Sequence, residues 1–233
     1  YETLFCNGHW RQSGPRMVWD CQGASRLDEL QRLLRPQLLH RRKRDCLDLP
    51  PKLRRFHAVV LKPEAQHQFD KLTALQQLLD QLQASGDPVV VFSGFRGPLL
   101  QLHRLRGGEL LTGLVDPTER LQRLQRFQQG DSNLLLATYG VAGLGLGLQR
   151  ASQVILLERP WTPGDAEQAE DRCHRFGTRR TVECHWLQLG GADALVDGLI
   201  LSKSERIEVV LGRQRRQLRR QGLARMLDEL LQS

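Results

Sequence analysis

The chain has 233 residues, 40% of them hydrophobic, and a formal net charge of +8. That length and apolar share suit one large domain, or one domain with attachments, and a packed core. They exclude a membrane-spanning class, because no apolar run approaches the ~20 residues a span needs, and no charged-then-apolar leader opens the chain, so a secretory signal is not expected.

The five cysteines, Cys6, Cys21, Cys46, Cys173 and Cys184, are odd in number and contain no CxxC pair. This argues against a disulfide framework and for a reducing compartment. The "CH" pairs at 173 and 184 lack zinc-site spacing, so no metal site is assigned. Arginine supplies most of the positive charge, with lysine only at 43, 52, 62, 71 and 203. Its planar fork of donors matches phosphate, which favours nucleic acid or nucleotide as partner.

Residues 1 to 25 read as irregular structure. Leu27, Leu30, Leu33 and Leu34 then recur at helical spacing, with Ser25 as a cap and Pro36 as the breaker. "LDLPPKLR" is extended, because each proline biases its predecessor away from helix. "FHAVVL" reads as a strand. "PEAQHQFDKLTALQQLLDQLQAS" reads as a long amphipathic helix, with Pro63 near its first turn. Past Gly86, short apolar runs alternate with helical ones: "PVVVFSGF", "GPLLQLHRL", "ELLTG", "DPTERLQRLQRFQQG", "NLLLATY", "QVILLE", "PGDAEQAEDRCHRFG" and "TVECHWLQL". Strands apolar throughout and separated by helices indicate an α/β fold with a mainly parallel sheet covered on both faces. A helical tail, "DALVDGLILSKSERIEVVLG", precedes an arginine-dense stretch, "RQRRQLRRQGLARMLDELLQS".

Ligands of open parallel sheets gather beyond the carboxyl ends of strands. Three such loops stand out: Ser93 and Gly94 after "VVVF", Thr138 and "GVAGLGLGL" after "LLLA", and the residues 159–163 after "VILLE". Small hydroxyls and exposed backbone N–H groups there suit phosphate, although serine and glycine also simply turn chains. Gly143, Gly145 and Gly147 fall at alternate positions, which excludes the GxGxxG dinucleotide fingerprint. No lysine follows a glycine, so there is no GxxxxGK[ST] phosphate loop. No Asp-Glu pair ends an apolar strand either. The arginines Arg172 and Arg175, behind Gln168 and ahead of Gly177, are thus phosphate-suited groups without a phosphate pocket of their own. At a spacing of i and i+3 they are expected on one face of a helix.

These pieces in this order resemble the second RecA-like lobe of the Swi/Snf family of DNA translocases, over roughly residues 20 to 212. "ATYGVAGLGLGLQRASQVILLERPWTPGDAEQAEDRCHRFGT" is similar to the family's motif V, its tryptophan-x-proline step and motif VI of the form QAxDRxHRxGQ. "LLHRRKRDCLDLPPKLR" resembles its RR-x-K…LPPK lead-in, and "GASRLDEL" the element before that. "VVVFSGF" resembles motif IV, and "LLTG" with Arg120 and "FQQG" the following block. The glycine spacing is similar to the annealing-helicase branch and to bacterial members. Phe176 and Thr178 depart from the pattern, which has an aliphatic residue and a glutamine there.

The resemblance implies a RecA-like three-layer domain at 56–190, reached through a helical and extended lead-in segment at 1–55 and closed by an arginine-rich helical brace at 191–233. It implies that Arg172 and Arg175 act as arginine fingers on ATP held by a first lobe, in cis or in trans. Gln168, Gly143, Gly145 and Gly177 would lie beside the nucleotide, and Mg²⁺ would be held on the first lobe. Ser93, Gly94, Thr112, Thr138 and Gln149 would contact double-stranded DNA. Trp161 and Asp171 would couple the two sites. Lys52 and the cluster Arg41, Arg42 and Lys43 would bridge lobes, touch DNA or only solvate the linker. Without Walker A and B motifs the chain is expected to be inactive alone. The compartment would be bacterial cytoplasm or a eukaryotic nucleus, with no membrane partner. The alternative is a non-enzymatic nucleic-acid-binding module or regulatory remnant, which keeps the basic surface without a motor.

Overall fold

The computed structural model describes residues 1–39, 41, 43–59, 67–142, 147–160 and 162–211. The chain divides into two compact units: one is Leu47–Gly198, and the other is built on Tyr1–Cys46 and resumes at Leu199.

The N-terminal unit holds α1 (Glu2–Phe5), the antiparallel pair β1 (His9–Ser13) and β2 (Arg16–Asp20), α2 (Leu27–Leu34) and α3 (Lys43–Cys46). Residues 1 to 25 are therefore ordered as a short helix and a hairpin, not the irregular stretch expected. Gly14, at φ 62, turns the chain in a two-residue loop with Pro15. Trp10 and Trp19 pair edge-on across the strands at 5.5 Å, and the Trp19 indole donates to Glu2 Oε2 at 2.7 Å. Ser25 does not cap α2. Its hydroxyl donates to the Leu4 carbonyl at 2.7 Å, and the cap position falls to Arg26, whose φ is 50. The helix stops at Leu34, just ahead of Pro36 as expected.

The second unit is an α/β domain in chain order β3 (Lys52–Val59), α4 (His67–Ala84), β4 (Val89–Ser93), α5 (Arg96–Arg106), β5 (Glu109–Leu111), α6 (Pro117–Gln129), β6 (Leu134–Thr138), α7 (Tyr139–Ala142), β7 (Gln153–Leu156), α8 (Pro163–Glu170) and β8 (Val182–Leu189). Helix α9 (Gly190–Val210) follows and runs on past the boundary between the units. The stretch from 212 onward, including the arginine-dense tail, lies outside the described residues. The sheet has six strands in the order β3-β8-β7-β4-β6-β5, and every pairing is parallel. This is the RecA-like α/β architecture expected from the alternation of apolar runs with helices.

Strand β4 is buried at every position, as a strand covered on both faces must be. Val89 and Val91 face one side and pack with Leu75, Leu79, Leu99 and Leu102 of α4 and α5. Val90 and Phe92 face the other side, where Phe92 stacks on Tyr139 at 5.9 Å. Register links Phe56, Trp186, Leu156, Phe92, Ala137 and Leu111 in one row across all six strands. The next row toward the carboxyl ends carries Ser93, Thr138 and Thr112 side by side.

A polar chain crosses the sheet from His57 on β3 to Asp87, just ahead of β4. His57 Nε2 meets His185 Nδ1 at 2.8 Å, His185 Nε2 meets Gln153 Oε1 at 2.7 Å, and the Gln153 amide donates to Asp87 Oδ2 at 3.1 Å. Burial pushes the His185 imidazole down to about 4, and His57 beside it adds to the shift. Burial also lowers His57, with Arg55 contributing. The unfolded chain takes up protons near pH 6.5 that the folded chain refuses. The contribution is therefore complete above that pH and is lost as pH falls toward 4. The loss attributable to His185 is about 3 kcal/mol across that window. Urea midpoints measured at pH 7 and pH 4.5 should differ less in His185→Gln than in the parent chain; equal differences would show that His185 does not set this slope.

Candidate functional site

Two clusters of polar residues occupy opposite ends of the parallel sheet. The first is the turn that follows α8. This helix begins behind Pro163, with the Thr162 hydroxyl accepting from Asp165 N at 3.2 Å, and it ends at Glu170. Arg172 and Arg175 therefore lie in turns beyond the helix and not on one helical face, which corrects the i, i+3 expectation. The helix tightens as Arg172 N bonds to Ala169 O and Cys173 N to Glu170 O. Thr178 then closes the loop: its hydroxyl donates to Cys173 O at 2.7 Å and accepts from Arg175 N at 3.1 Å, while Thr178 N donates to Arg175 O at 2.9 Å. The residue that departs from the family pattern thus has a local task here. Gly177 has φ 95, a conformation that glycine adopts without strain.

Glu170 anchors this turn. Its carboxylate is fully buried and accepts from Arg54 in bidentate fashion, Nε–Oε1 2.8 Å and Nη2–Oε2 2.7 Å. Trp186 Nε1 donates to Oε1 at 2.9 Å, and Lys52 Nζ lies 3.2 Å from Oε2. Lys52 also donates to Asp171 Oδ1 at 2.9 Å. Lys52 is the first residue of β3, so the turn is fixed beside the amino ends of β3 and β8. Lys52 is thereby committed to a contact inside the lobe, and Asp171 holds Lys52. Burial lowers the Lys52 and Arg54 ammonium and guanidinium affinities for protons, but the facing carboxylates outweigh it and both remain raised. Among the described residues no carboxylate pairs with the Arg175 guanidinium, and the residue is half-buried. Gln168 is exposed on α8.

The glycine-rich stretch meets this turn at its far side. Leu148 N donates to Arg172 O at 2.9 Å, and a Cβ on Gly177 would stand 3.8 Å from Gln149 Cγ. Gln149 thus lies against the arginine turn, away from the hydroxyl row. Gly143, Gly145 and Trp161 lie outside the described residues. Arg41 is exposed in the N-terminal unit, where Lys43 opens α3, and Arg42 is outside the described residues.

The second cluster is the row Ser93, Thr138 and Thr112 at the carboxyl ends of β4, β6 and β5. Ser93 and Thr112 are buried, and Thr138 is half-buried. The Ser93 hydroxyl lies 2.6 Å from Glu158 Oε2 and 2.9 Å from Phe95 O, and it accepts from Phe95 N at 3.0 Å. Gly94 N donates to the same Glu158 oxygen at 3.1 Å. Burial pushes the Glu158 carboxyl above its ordinary range, although the Ser93 and Gly94 donors pull it down. Next to it, Arg159 is buried: Nη2 donates to Asp197 Oδ2 at 3.0 Å and to Leu187 O at 2.6 Å, and Nη1 to Leu156 O at 3.1 Å.

Sequence reasoning named the hydroxyls and arginines but missed Glu170, Arg54, Trp186 and Glu158. Arg54 and Glu170, for example, are 116 residues apart, and no local pattern marks them. Among the described residues no group of three or more histidine, cysteine or acidic residues is placed to hold a metal. Among them, too, no helix is long and apolar enough to cross a membrane.

Residues 70–177 match the helicase conserved C-terminal domain. The mouse DNA annealing helicase and endonuclease ZRANB3 is 28% identical over 249 residues, covering 88% of this chain and 23% of that protein. The DNA repair protein RAD5 of Kluyveromyces lactis is 34% identical over 130 residues, half of this chain. Over residues 70–177 the chain is similar to the C-terminal lobe of helicases. It spans about a quarter of the length of ZRANB3, 23%. The crystal structure of the C-terminal part of the Fun30 ATPase domain has the same fold, with a TM-score of 0.53 at 19% identity, covering 65% of this chain and 57% of that one.

In this domain the Glu170 cluster should be a dominant local determinant of stability. Glu170→Ala removes the carboxylate from Arg54 and leaves the buried Trp186 indole N–H without its acceptor, while Lys52 keeps Asp171, a loss of about 2 kcal/mol or more. Urea unfolding monitored by Trp fluorescence measures it; a loss below about 1 kcal/mol would place Glu170 among ordinary substitutions.

Proposed function

We propose that this chain is the second motor lobe of an ATP-dependent double-stranded DNA translocase, of the branch that includes annealing helicases. In this reading Arg172 and Arg175 reach a triphosphate bound by a first lobe, on the same polypeptide or another. The observation that carries it is the turn from Asp171 to Thr178. Its backbone is pinned by Thr178 and its base by buried Glu170, while no carboxylate among the described residues neutralises Arg175.

The lobe has no phosphate loop of its own, so ATP and its Mg²⁺ are assigned to the first lobe. ATP supplies the phosphoryl group whose transfer drives stepping. Arg175 and Arg172 would stabilise the negative charge that develops on it, and Gly177 and the glycines at 143 and 145 would let backbone approach. Gln168, exposed one turn before the arginines, would help organise that contact. Asp171, through Lys52, would keep the turn in register with β3.

The hydroxyl row would hold backbone phosphates of one DNA strand. Contacts of this type position a strand without reading its sequence. Ser93, Gly94, Thr138 and Thr112 are the row's members, and Gln149 and Trp161 would connect it to the nucleotide side. Without the first lobe the chain would bind DNA in a salt-sensitive way and hydrolyse nothing.

DNA-stimulated ATP hydrolysis, measured with the first lobe present, tests the reading. Arg175→Ala should lower kcat about 10³-fold or more, with an unchanged thermal midpoint. Equal hydrolysis by the variant removes Arg175 from the reaction and leaves the nucleic-acid-binding module as the better reading.

A further inference from the structure

The Ser93 and Gly94 donors converge on a single oxygen, and that oxygen belongs to this chain. Glu158 Oε2 accepts from the Ser93 hydroxyl at 2.6 Å and is within 3.1 Å of Gly94 N. A hydroxyl and a backbone amide meeting on one anionic oxygen is the pattern by which proteins hold a phosphate oxygen. The half-buried Glu158 carboxylate stands where a phosphate oxygen would have to stand. Two anions cannot share these donors, because at a separation of about 4 Å near a protein surface they repel by roughly 4 kcal/mol.

We propose that Glu158 is a built-in competitor for the phosphate subsite of Ser93 and Gly94, and that a DNA backbone phosphate occupies the subsite only when the carboxylate has swung out. This deepens the translocase reading and rests on it. The motion is a side-chain rotation. The neighbouring Arg159 is locked by Asp197 and by the carbonyls of Leu156 and Leu187, so the backbone at this point is held. Glu158 is also five residues ahead of Pro163, where α8 begins, and α8 ends at the arginine turn. The competitor therefore sits on the segment that joins the DNA-facing row to the nucleotide-facing turn, where release of the carboxylate can be tied to the state of the cleft.

Binding of a fluorescein-labelled 20-base-pair duplex to the 233-residue chain, followed by anisotropy at fixed salt, decides the matter. Glu158→Ala should tighten binding about tenfold, the scale of one charge-assisted contact. Glu158→Gln, which keeps the shape and loses the charge, should tighten it by a smaller factor and guards against a folding defect in the alanine variant. Ser93→Ala in the Glu158→Ala background should cancel most of the gain. Asp131→Asn, at an exposed carboxylate ahead of β6, changes net charge equally and should alter affinity less than twofold.

Equal tightening by Glu158→Ala and Asp131→Asn would reduce the effect to overall charge and overturn the proposal. Unchanged affinity in Glu158→Ala, with weaker binding in Ser93→Ala, would overturn it and leave the DNA row intact. Absence of salt-sensitive duplex binding in the parent and both Glu158 variants would overturn the competitor and the DNA-facing reading together. Inorganic phosphate, added at matched ionic strength, should displace little duplex from Glu158→Ala; displacement as effective as that by unlabelled duplex would identify the subsite as one for free phosphate and overturn the proposal.

Discussion

A carboxylate with no exposure to water holds the arginine turn in place. Glu170 is tolerable in the interior only because four donors from two different strands surround it: both arms of Arg54, the ammonium of Lys52 and the indole of Trp186. An uncompensated buried charge costs several kcal/mol, so these partners are a condition of the fold, not an ornament on it. Arg172 lies two residues further along the chain. Its position, and that of Arg175, is inherited from the point where α8 is riveted to β3 and β8. A buried ion pair of this kind contributes more to geometry than to net stability, since well-packed apolar residues could fill the same volume at similar or lower cost. What they could not do is fix the direction in which the chain leaves the helix.

Trp186 extends the same constraint across the interior. The guanidinium carbons of Arg54 and Arg159 each lie 5.0 Å from its ring, and Phe56 packs against it edge-on at 5.4 Å. Arg54 is tied to Glu170, and Arg159 is tied to Asp197. The indole therefore links two ion pairs, the Arg54–Glu170 pair beneath the arginine turn and the buried Arg159–Asp197 pair beside the segment that carries Glu158. The two polar clusters are at opposite ends of the sheet, yet both rest on one side chain of β8. A strand of parallel sheet buried on both faces deforms little, so a displacement at one end is passed on as rigid-body motion more readily than it is absorbed.

The alternation of apolar runs and helices was enough to recover the parallel sheet, because strands buried on both faces have a distinctive texture. The hydroxyls also stood out, each following its apolar run: "VVVFS", "LLT" and "LLLAT". Their alignment in one row was not legible, since strand order and register depend on contacts far apart in sequence. The helical reading of the arginines failed for a local reason. The pattern from Pro163 to Gly177 has no breaker before its glycine, yet Glu170 is drawn inward by Arg54 and the Thr178 hydroxyl captures Cys173 O and Arg175 N. Tertiary bonds to one carboxylate and one hydroxyl override a propensity of a few tenths of a kcal/mol per residue. The N-terminal hairpin was misread for a simpler cause: its Gly-Pro turn signal, between two tryptophan-bearing runs, is short and its strands are exposed.

Placing the two arginines in a turn changes what they can do. On a helix, residues at i and i+3 are bound to a common axis, and neither can be repositioned without the other. In the turn the backbone at Arg175 is fixed by Thr178 through both its N–H and its C=O, while the side chain is not committed to a carboxylate among the described residues. A fixed root with an uncommitted tip suits a group that must meet an anion supplied from outside. A guanidinium already paired within the lobe would have to break that pair first, at a cost of about 1 kcal/mol or more for a well-formed contact. The same reasoning separates the two clusters: Arg175 has no carboxylate partner among the described residues, whereas the Ser93 and Gly94 donors already have one in Glu158.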